Sequence, residues 1–118
     1  MTGTVQNNII TVRQGDSFAL NFYLTDKCGK PVNLTGATML MQVRDENGTL
    51  KFSLAGTSVD ALGGKMVLLF TPTQTGIDVG DYKTDIQVTL SDGSVNTIFP
   101  ANVNQIGVFR VTEQVTEA

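Results

Sequence analysis

The side chains that most often carry out chemistry in proteins are scarce in this sequence of 118 residues. It contains no histidine and a single cysteine, Cys28. Histidine is the commonest general base and a common metal ligand, so its absence excludes Ser–His and Cys–His nucleophile pairs. The usual structural zinc sites, built from several His or Cys ligands, are excluded as well. Cys28 cannot form an intrachain disulfide, so the fold does not depend on one.

Aspartate and glutamate are the remaining candidates for chemistry. Asp78, Asp81 and Asp85 form a loose acidic group that suggests Ca²⁺, which prefers six to eight oxygen ligands. Asp81 and Asp85, however, are predicted to lie on one strand about 13 Å apart, so they cannot share an ion. No pair of carboxylates is indicated across a cleft, as glycoside hydrolysis requires. We therefore predict no catalytic residue, no metal site, no cofactor and no enzymatic activity.

Charge and hydropathy limit the classes of partner that the chain is expected to bind. The chain has 8 Lys and Arg against 11 Asp and Glu, a formal net charge of −3, and its cations are scattered. A nucleic-acid-binding protein normally carries a basic face. No apolar run approaches the ~20 residues of a membrane helix, and the N-terminus lacks the regions of a signal peptide. We expect a soluble protein that stays in the cytoplasm of the producing cell and binds neither nucleic acid nor membrane.

The elements that must position any site are predicted to be strands. Apolar and polar residues alternate over residues 17–25, 37–43, 82–90 and 106–111, although the buried face of the last segment is less clear. Thr84 is the one polar residue at an inward position of 82–90, where its hydroxyl needs a backbone carbonyl. Strands recur about every ten residues, a spacing typical of a β-sandwich or a small barrel.

Turn residues separate the strands. Asn47-Gly48 and Asp92-Gly93 are the strongest hairpin signals, and both tolerate the positive φ of a tight primed turn. Residues 71–76 suit a single helical turn with Pro72 at its first position. We predict one domain over residues 1–118, with polar tails at 1–7 and 113–118 that are mobile unless a partner orders them.

One short motif favours a particular kind of sandwich. Asp78-Val79-Gly80-Asp81-Tyr82 resembles the tyrosine corner of immunoglobulin-like domains, in which the Tyr hydroxyl bonds back to the upstream backbone. Gly80 is predicted to relieve crowding under the Tyr82 ring. Thr84 stands where antibody domains have a cysteine, so the resemblance is to the architecture alone. The predicted fold is an all-β, immunoglobulin-like antiparallel β-sandwich of about 7–9 strands, with a structural rather than a binding role for Tyr82.

Several segments together carry a longer resemblance. They are Arg13–Ser17 (RQGDS), Lys30–Ala37 (KPVNLTGA), Met41–Arg44 (MQVR), Gly80–Ile86 (GDYKTDI), Asp92–Val95 (DGSV) and Val108–Thr112 (VFRVT). Over roughly residues 9–112 the chain resembles small virion domains of tailed bacteriophages, among them the N-terminal domain of baseplate upper proteins. That resemblance implies an immunoglobulin-like sandwich that docks onto other virion proteins without catalysis. Baseplate upper proteins normally continue into a stalk, whereas this chain ends at residue 118, so we expect a stand-alone adaptor or decoration protein.

The most specific piece of the resemblance, residues 31–37, also has a physical interpretation. Pro31 belongs to the loop that precedes the motif, and Leu34 is predicted to plug one end of the sandwich. The Thr35 hydroxyl is able to bond the neighbouring backbone, and Gly36 suits a bulge or a positive φ. We interpret these residues as a signature of the fold.

The function we predict is that of a virion structural protein at the tail, baseplate, neck or capsid surface. It acts by protein–protein docking in a symmetric assembly, through edge strands, end loops and the two tails, as a homo-oligomer that is assembled in the host cytoplasm. The alternative is a carbohydrate- or ligand-binding sandwich module. Such modules usually present exposed rings, and here only Tyr23 is predicted to face outward, since the chain has no Trp.

Overall fold

The computed structural model describes residues 3–6, 8–100 and 105–113, with the backbone alone described for 3–6. Ten strands and one short helix make up this part of the chain. They are β1 (Gly3–Gln6), β2 (Ile9–Arg13), β3 (Phe18–Tyr23), β4 (Thr38–Arg44), β5 (Leu50–Ala55), β6 (Thr57–Asp60), β7 (Lys65–Phe70), α1 (Pro72–Thr75), β8 (Gly80–Thr89), β9 (Val95–Phe99) and β10 (Gly107–Thr112).

The strands form two sheets that stack as a sandwich. The large sheet has the order β1-β2-β10-β8-β4-β5, with β9 on β8, and the small sheet has the order β3-β7-β6. The predicted all-β sandwich is confirmed. Among the described strand pairs, one departs from the antiparallel pattern, because β10 runs parallel to β2. A parallel pair needs a long connection, and here most of the domain lies between the two strands.

Strand β8 shows why the alternating pattern folds as predicted. Its inward residues Tyr82, Thr84, Ile86 and Val88 are buried, and the intervening positions are exposed. The Thr84 hydroxyl donates to the backbone carbonyl of Gln42 at 2.8 Å, so the one inward polar group has an acceptor. In β10 the buried face, which the sequence left unclear, consists of Gly107, Phe109 and Val111.

Four phenylalanines join the two sheets. Phe70 of the small sheet stacks on Phe109 of the large sheet, with ring centroids 5.8 Å apart and planes 14° apart. Phe52 meets Phe109 edge-on at 5.7 Å, and Phe18 packs on Phe70 at 5.4 Å. Such pairs contribute beyond the area they bury, so this cluster sets the contact between the layers.

The chain passes directly from one sheet to the other at Gly56. This residue separates β5 of the large sheet from β6 of the small one, and its N–H donates to the Met39 carbonyl at 2.9 Å. A Cβ at position 56 would lie 2.8 Å from the Cβ of Met39. The corner therefore requires a residue without a side chain.

The hairpin loops differ from the predicted two-residue turns. Gly48 has a positive φ of 85°, as expected, but its N–H donates to the Asp45 carbonyl, and the Asp45 N–H donates to the Thr49 carbonyl, both at 3.0 Å. This is a three-residue loop with glycine in the left-handed position. The Asp45 carboxylate favours it by accepting from the N–H groups of Asn47 and Thr49, both at 2.9 Å. Residues 90–94 form the same backbone loop, with φ of 89° at Gly93.

The single helical turn and the N-terminal segment complete the fold. Helix α1 begins at Pro72, as predicted, and the Gln74 side chain accepts from the Thr71 N–H at 2.8 Å. The segment Gly3–Gln6, predicted as part of a tail, pairs antiparallel with β2 at the edge of the large sheet. Residues 1, 2, 7 and 114–118 lie outside the described residues, so the mobility of the tails stays a prediction.

Removing the stacked ring of Phe109 should destabilise the whole domain. We expect Phe109→Ala to lower the free energy of unfolding by about 3–5 kcal/mol, because it leaves a cavity between the sheets. The measurement is urea unfolding followed by circular dichroism. Leu69→Ala is the matched control, since Leu69 precedes Phe70 and is 58% exposed, and it should change stability by less than about 0.5 kcal/mol. Equal losses in the two variants would contradict the central role of the cluster.

Candidate docking surfaces

The tyrosine corner lies where the chain enters β8. The Tyr82 hydroxyl donates to the backbone carbonyl of Asp78 at 2.6 Å, and its ring is buried. Burial raises the pKa of Tyr82, and the nearby carboxylates of Asp78 and Asp45 raise it further. Tyr82 thus ties the loop before β8 to the core, and the geometry places its hydroxyl on the backbone rather than in solvent.

Gly80 is required for a reason other than the predicted one. A Cβ at this position would meet nothing within 4 Å, so the ring of Tyr82 does not crowd it. Its φ of 151° is the constraint, because side chains with a Cβ rarely adopt that conformation. The sequence signal at Gly80 was correct, and its cause is backbone conformation rather than space.

The motif at residues 31–36 forms part of one end of the sandwich. Pro31 is exposed and forms an isolated bridge with Thr25, while Leu34 is buried and its N–H donates to the Ala61 carbonyl at 2.9 Å. Gly36 has a φ of 75°, and a Cβ there would lie 3.3 Å from the Cβ of Ser91. The motif therefore holds the end loops against one another.

The described hydrogen bond of Thr35 is made by its backbone, whereas we expected one from its hydroxyl. Thr35 is exposed, and its backbone N–H donates to the side-chain oxygen of Asn33 at 3.0 Å. The side chain that bonds the backbone at this turn is thus that of Asn33, which acts as an Asx turn. The sequence contained a signal for this turn, because an Asn in a loop often accepts from the backbone N–H two residues further on, here that of Thr35.

The structure keeps the two motifs apart. Tyr82 lies near the start of β8, whereas Gly36 lies beside Ser91, just beyond its end. Ten residues of extended strand span roughly 30 Å. The seven predicted motif residues therefore form two separate structural devices, one near each end of the sandwich, and no common site.

The outer face of the large sheet carries several charged side chains. Asp81 of β8 pairs with Arg110 of β10, with Oδ1 accepting from Nε at 2.8 Å and Oδ2 from Nη2 at 3.1 Å. The hydrogen bond from Arg110 lowers the pKa of Asp81, and the same contact raises the pKa of Arg110. Both side chains remain substantially exposed, so the pair adds little to stability and leaves the face open to a partner.

The outer face of the small sheet is more apolar. Tyr23, Val59 and Leu69 are 57%, 63% and 58% exposed. A shallow depression of about 320 Å³ lies there, lined by Tyr23 and Val59 together with Asn21 and Lys65. Alternation predicted the outward Tyr23. It missed Val59, whose position depends on the irregular register between Ser58 and Asp60 opposite β7. The carbohydrate alternative stays a prediction.

Metal binding, membrane insertion and thiol chemistry are the other candidate roles for the described parts of the chain. Within them, no three His, Cys, Asp or Glu side chains are grouped closely enough to hold a metal ion. No helix among these residues has the length and hydropathy to cross a membrane. Cys28 is exposed in the 26–30 loop as a free thiol.

Comparison with known proteins gives one informative match. Residues 1–105 match the family model described as "BppU N-terminal domain". A solved structure, "The crystal structure of CopC from Methylosinus trichosporium OB3b", is 18% identical with a TM-score of 0.43, over 68% of this chain and 67% of that one. No curated protein matches the chain in sequence. The family match thus covers most of the sequence.

Replacing Tyr82 by Phe should cost stability in a pH-dependent way. Loss of the hydrogen bond to Asp78 is expected to lower the free energy of unfolding by about 1 kcal/mol at neutral pH. Because the folded-state pKa is raised above 10.0, folding favours the protonated phenol. The stability that Tyr82 contributes is therefore full below pH 10 and is lost as the pH rises through the folded-state pKa.

The check is thermal unfolding of wild type and Tyr82→Phe between pH 8 and 11. The Tm of wild type should exceed that of the variant at pH 8, and this difference should disappear towards pH 11. Tyr23→Phe is the control, and it also isolates the absorbance titration of Tyr82, because the chain has only 2 Tyr and no Trp. A difference that does not shrink with pH would contradict this account.

Proposed function

Because the chain belongs to the family of BppU N-terminal domains, the N-terminal domains of phage baseplate upper proteins, we propose that it is a docking module that positions other baseplate proteins through non-covalent contacts. The chain is a phage baseplate structural domain and a component of the virion. The observation that carries the proposal is the family match over residues 1–105. The geometry adds a rigid sandwich whose faces and edges are the parts available to partners.

A rigid interior supports a positioning role. In the described part of the chain the core contains sixteen buried hydrophobic residues, which come from the strands of both sheets and, for Leu34, from a loop. Among the described residues that are not exposed, every buried side-chain nitrogen or oxygen has a hydrogen-bond partner. Such an interior is held by close packing and by satisfied hydrogen bonds, so the domain is able to present its surfaces in a fixed geometry.

The edges of the large sheet are the surfaces we propose for docking. Within the described sheet, β1 and β5 occupy its two ends and each pairs with one neighbour. An edge strand presents backbone N–H and C=O groups that a strand of another protein is able to pair with. Near β5, the edge carries the Lys51–Asp45 ion pair and a register irregularity, features that discourage strand addition. We therefore propose that the β1 edge receives the partner.

Assembly is proposed to occur in the host cytoplasm and to bring several copies of the chain together. A baseplate is built from repeated subunits, so a docking domain at one edge would be used once for each copy. Low affinity between isolated domains is sufficient in such an assembly, because tethered neighbours raise the effective concentration of each contact.

Removal of β1 tests the docking edge. A chain lacking residues 3–6 should keep its circular dichroism spectrum, since β1 pairs with β2 alone, but should fail to enter baseplates when expressed during infection. Tyr23→Ala is the control that should enter at the wild-type level, because Tyr23 lies on the small sheet. Normal incorporation of the shortened chain would contradict the proposed edge.

Electron cryo-microscopy of intact particles tests the function as a whole. The expected result is density for this sandwich at the baseplate, in contact with a different virion protein along β1. Purified virions in which the chain is absent from the baseplate would overturn the proposed function. Binding of bacterial surface glycans that requires Tyr23, without any contact to a virion protein, would favour the carbohydrate alternative instead.

A further inference from the structure

The centre of the large sheet's outer face contains two matched rows of residues. Strands β4, β8 and β10 are neighbours here, and Thr84 is in register with both Val43 and Gly107. Thr84 is buried on the core side and Gly107 has no side chain. No side chain of this central row therefore projects from the outer face, which is lower there than at the flanking rows. A depression of about 210 Å³ lies over it, lined by Gln42, Arg44, Lys83, Thr84, Asp85 and Ile106.

The two rows flank that central row on opposite sides. On one side the register places Arg44, Lys83 and Val108 next to one another across the three strands. On the other side Gln42 is in register with Asp85, and Ile106 directly precedes Gly107 at the start of β10. Each row thus consists of one residue from or beside each strand, in the same strand order.

The charges in these rows are not neutralised within the chain. Arg44 and Lys83 are register partners, and like charges directly opposite each other destabilise a sheet. In the part of the chain that the structure describes, Lys83 and Asp85 form no salt bridge, whereas Lys51 and Arg110 each pair with an aspartate. Among the same described residues, Arg44 donates to the Gly48 carbonyl at 3.0 Å and to the Gln42 side chain at 3.2 Å, and it forms no salt bridge.

We infer that this face binds the same face of a second copy of the chain about a two-fold axis. The axis runs between the two facing sheets, along the central row of Val43, Thr84 and Gly107. Rotation about it exchanges the two flanking rows. Lys83 of one copy then lies over Asp85 of the other, Val108 over Ile106, and Arg44 over Gln42, and each contact occurs twice.

Every contact in this arrangement is complementary. The cation of Lys83 meets a carboxylate, Arg44 meets an amide oxygen, and the half-buried Val108 meets Ile106, which is 65% exposed. The carboxylate of Asp85 from the second copy also lies near Arg44, which relieves the repulsion between Arg44 and Lys83. Two sheets that pack face to face are rotated relative to each other by about 30°. Positions near the centre of that rotation are displaced least, so these central pairs keep their register.

The domain is large enough for such an interface. Its principal extents are 43 × 30 × 21 Å, and the shortest of them matches the thickness of two stacked sheets. The broad side therefore provides room for the roughly 800 Å² per partner of a standard interface. The inference rests on the proposed function, because pairing of copies has a use only in an assembly that contains several of them.

A pair of charge reversals tests the contact. Lys83→Glu places a carboxylate over Asp85 twice, and Asp85→Lys places an ammonium group over Lys83 twice, so each variant alone should dimerise about tenfold or more weakly than wild type. In an equimolar mixture, the glutamate of the first variant faces the lysine of the second, and the native Asp85 of the first faces the native Lys83 of the second. Since both contacts are restored, we expect the mixture to recover dimerisation to within about threefold of wild type.

The measurement is sedimentation velocity up to about 1 mM protein in low salt, where exposed ion pairs are least screened. Lys30→Glu and Glu113→Lys are the matched controls, since both are exposed and remote from the axis, and they should dimerise like wild type. Circular dichroism establishes that all variants fold, and Lys83→Glu should have a Tm no lower than wild type because it removes the repulsion with Arg44.

Three outcomes would overturn the inference. They are a wild-type chain that stays monomeric at about 1 mM, single variants that dimerise like wild type, and a mixture that does not regain dimerisation although both variants are folded. None of these would affect the proposed docking function, which depends on β1 and on contact with a different protein. Conversely, dimerisation that follows the charge-swap pattern supports this interface even in a chain that lacks β1.

Discussion

Contact between the rings of Phe70 and Phe109 is the interaction on which the two-layer structure depends. These residues lie in different sheets, and their stacked rings are extended by Phe52 and Phe18 to form one cluster. Because the small sheet has only three strands, its residues must bury against the large sheet to leave water. The cluster supplies that burial and sets the distance at which the remaining inward residues pack.

Strand β8 connects this core to the charged outer face of the large sheet. It pairs with β4 along one side, and with β10 and β9 along the other. Its inward residues complete the core, and the Tyr82 hydroxyl holds the loop that precedes it. Its outward residues Lys83 and Asp85 lie at the centre of the charged face. A strand with neighbours on both sides is rigid, so the outward side chains are presented in a fixed register.

A core held by packing explains how the outer face tolerates an unfavourable arrangement of charge. The repulsion between the opposed Arg44 and Lys83 costs a fraction of a kcal/mol to about 1 kcal/mol, which is small beside the stabilisation from the described hydrophobic core. Local arrangements that lower stability are expected where a surface has another use. The β1 edge and the charged face are separate parts of the same sheet, so one copy of the domain is able to contact a different protein and a second copy of itself.

Local patterns in the sequence were sufficient to predict the fold class and the hydrogen bond that Tyr82 makes to the upstream backbone. Alternation over 82–90 identified the buried side of β8, and the pattern from Asp78 to Tyr82 identified the corner, because both depend on residues close together in the chain. The same holds for the positive φ of Gly48 and Gly93. The loop type predicted at Gly48 was wrong because the side chain of Asp45 decides it by accepting two backbone N–H groups.

Only the tertiary structure decided which strands are neighbours. The parallel pairing of β2 with β10, the change of sheet at Gly56 and the stacking of Phe70 on Phe109 join segments whose relation no local pattern specifies. The rows across β4, β8 and β10 likewise combine Arg44, Lys83 and Val108, which are far apart in the sequence. Alternation tells which side of a strand faces outward. The identity of the strand beside it depends on how the two sheets pack, and that packing is a property of the whole chain.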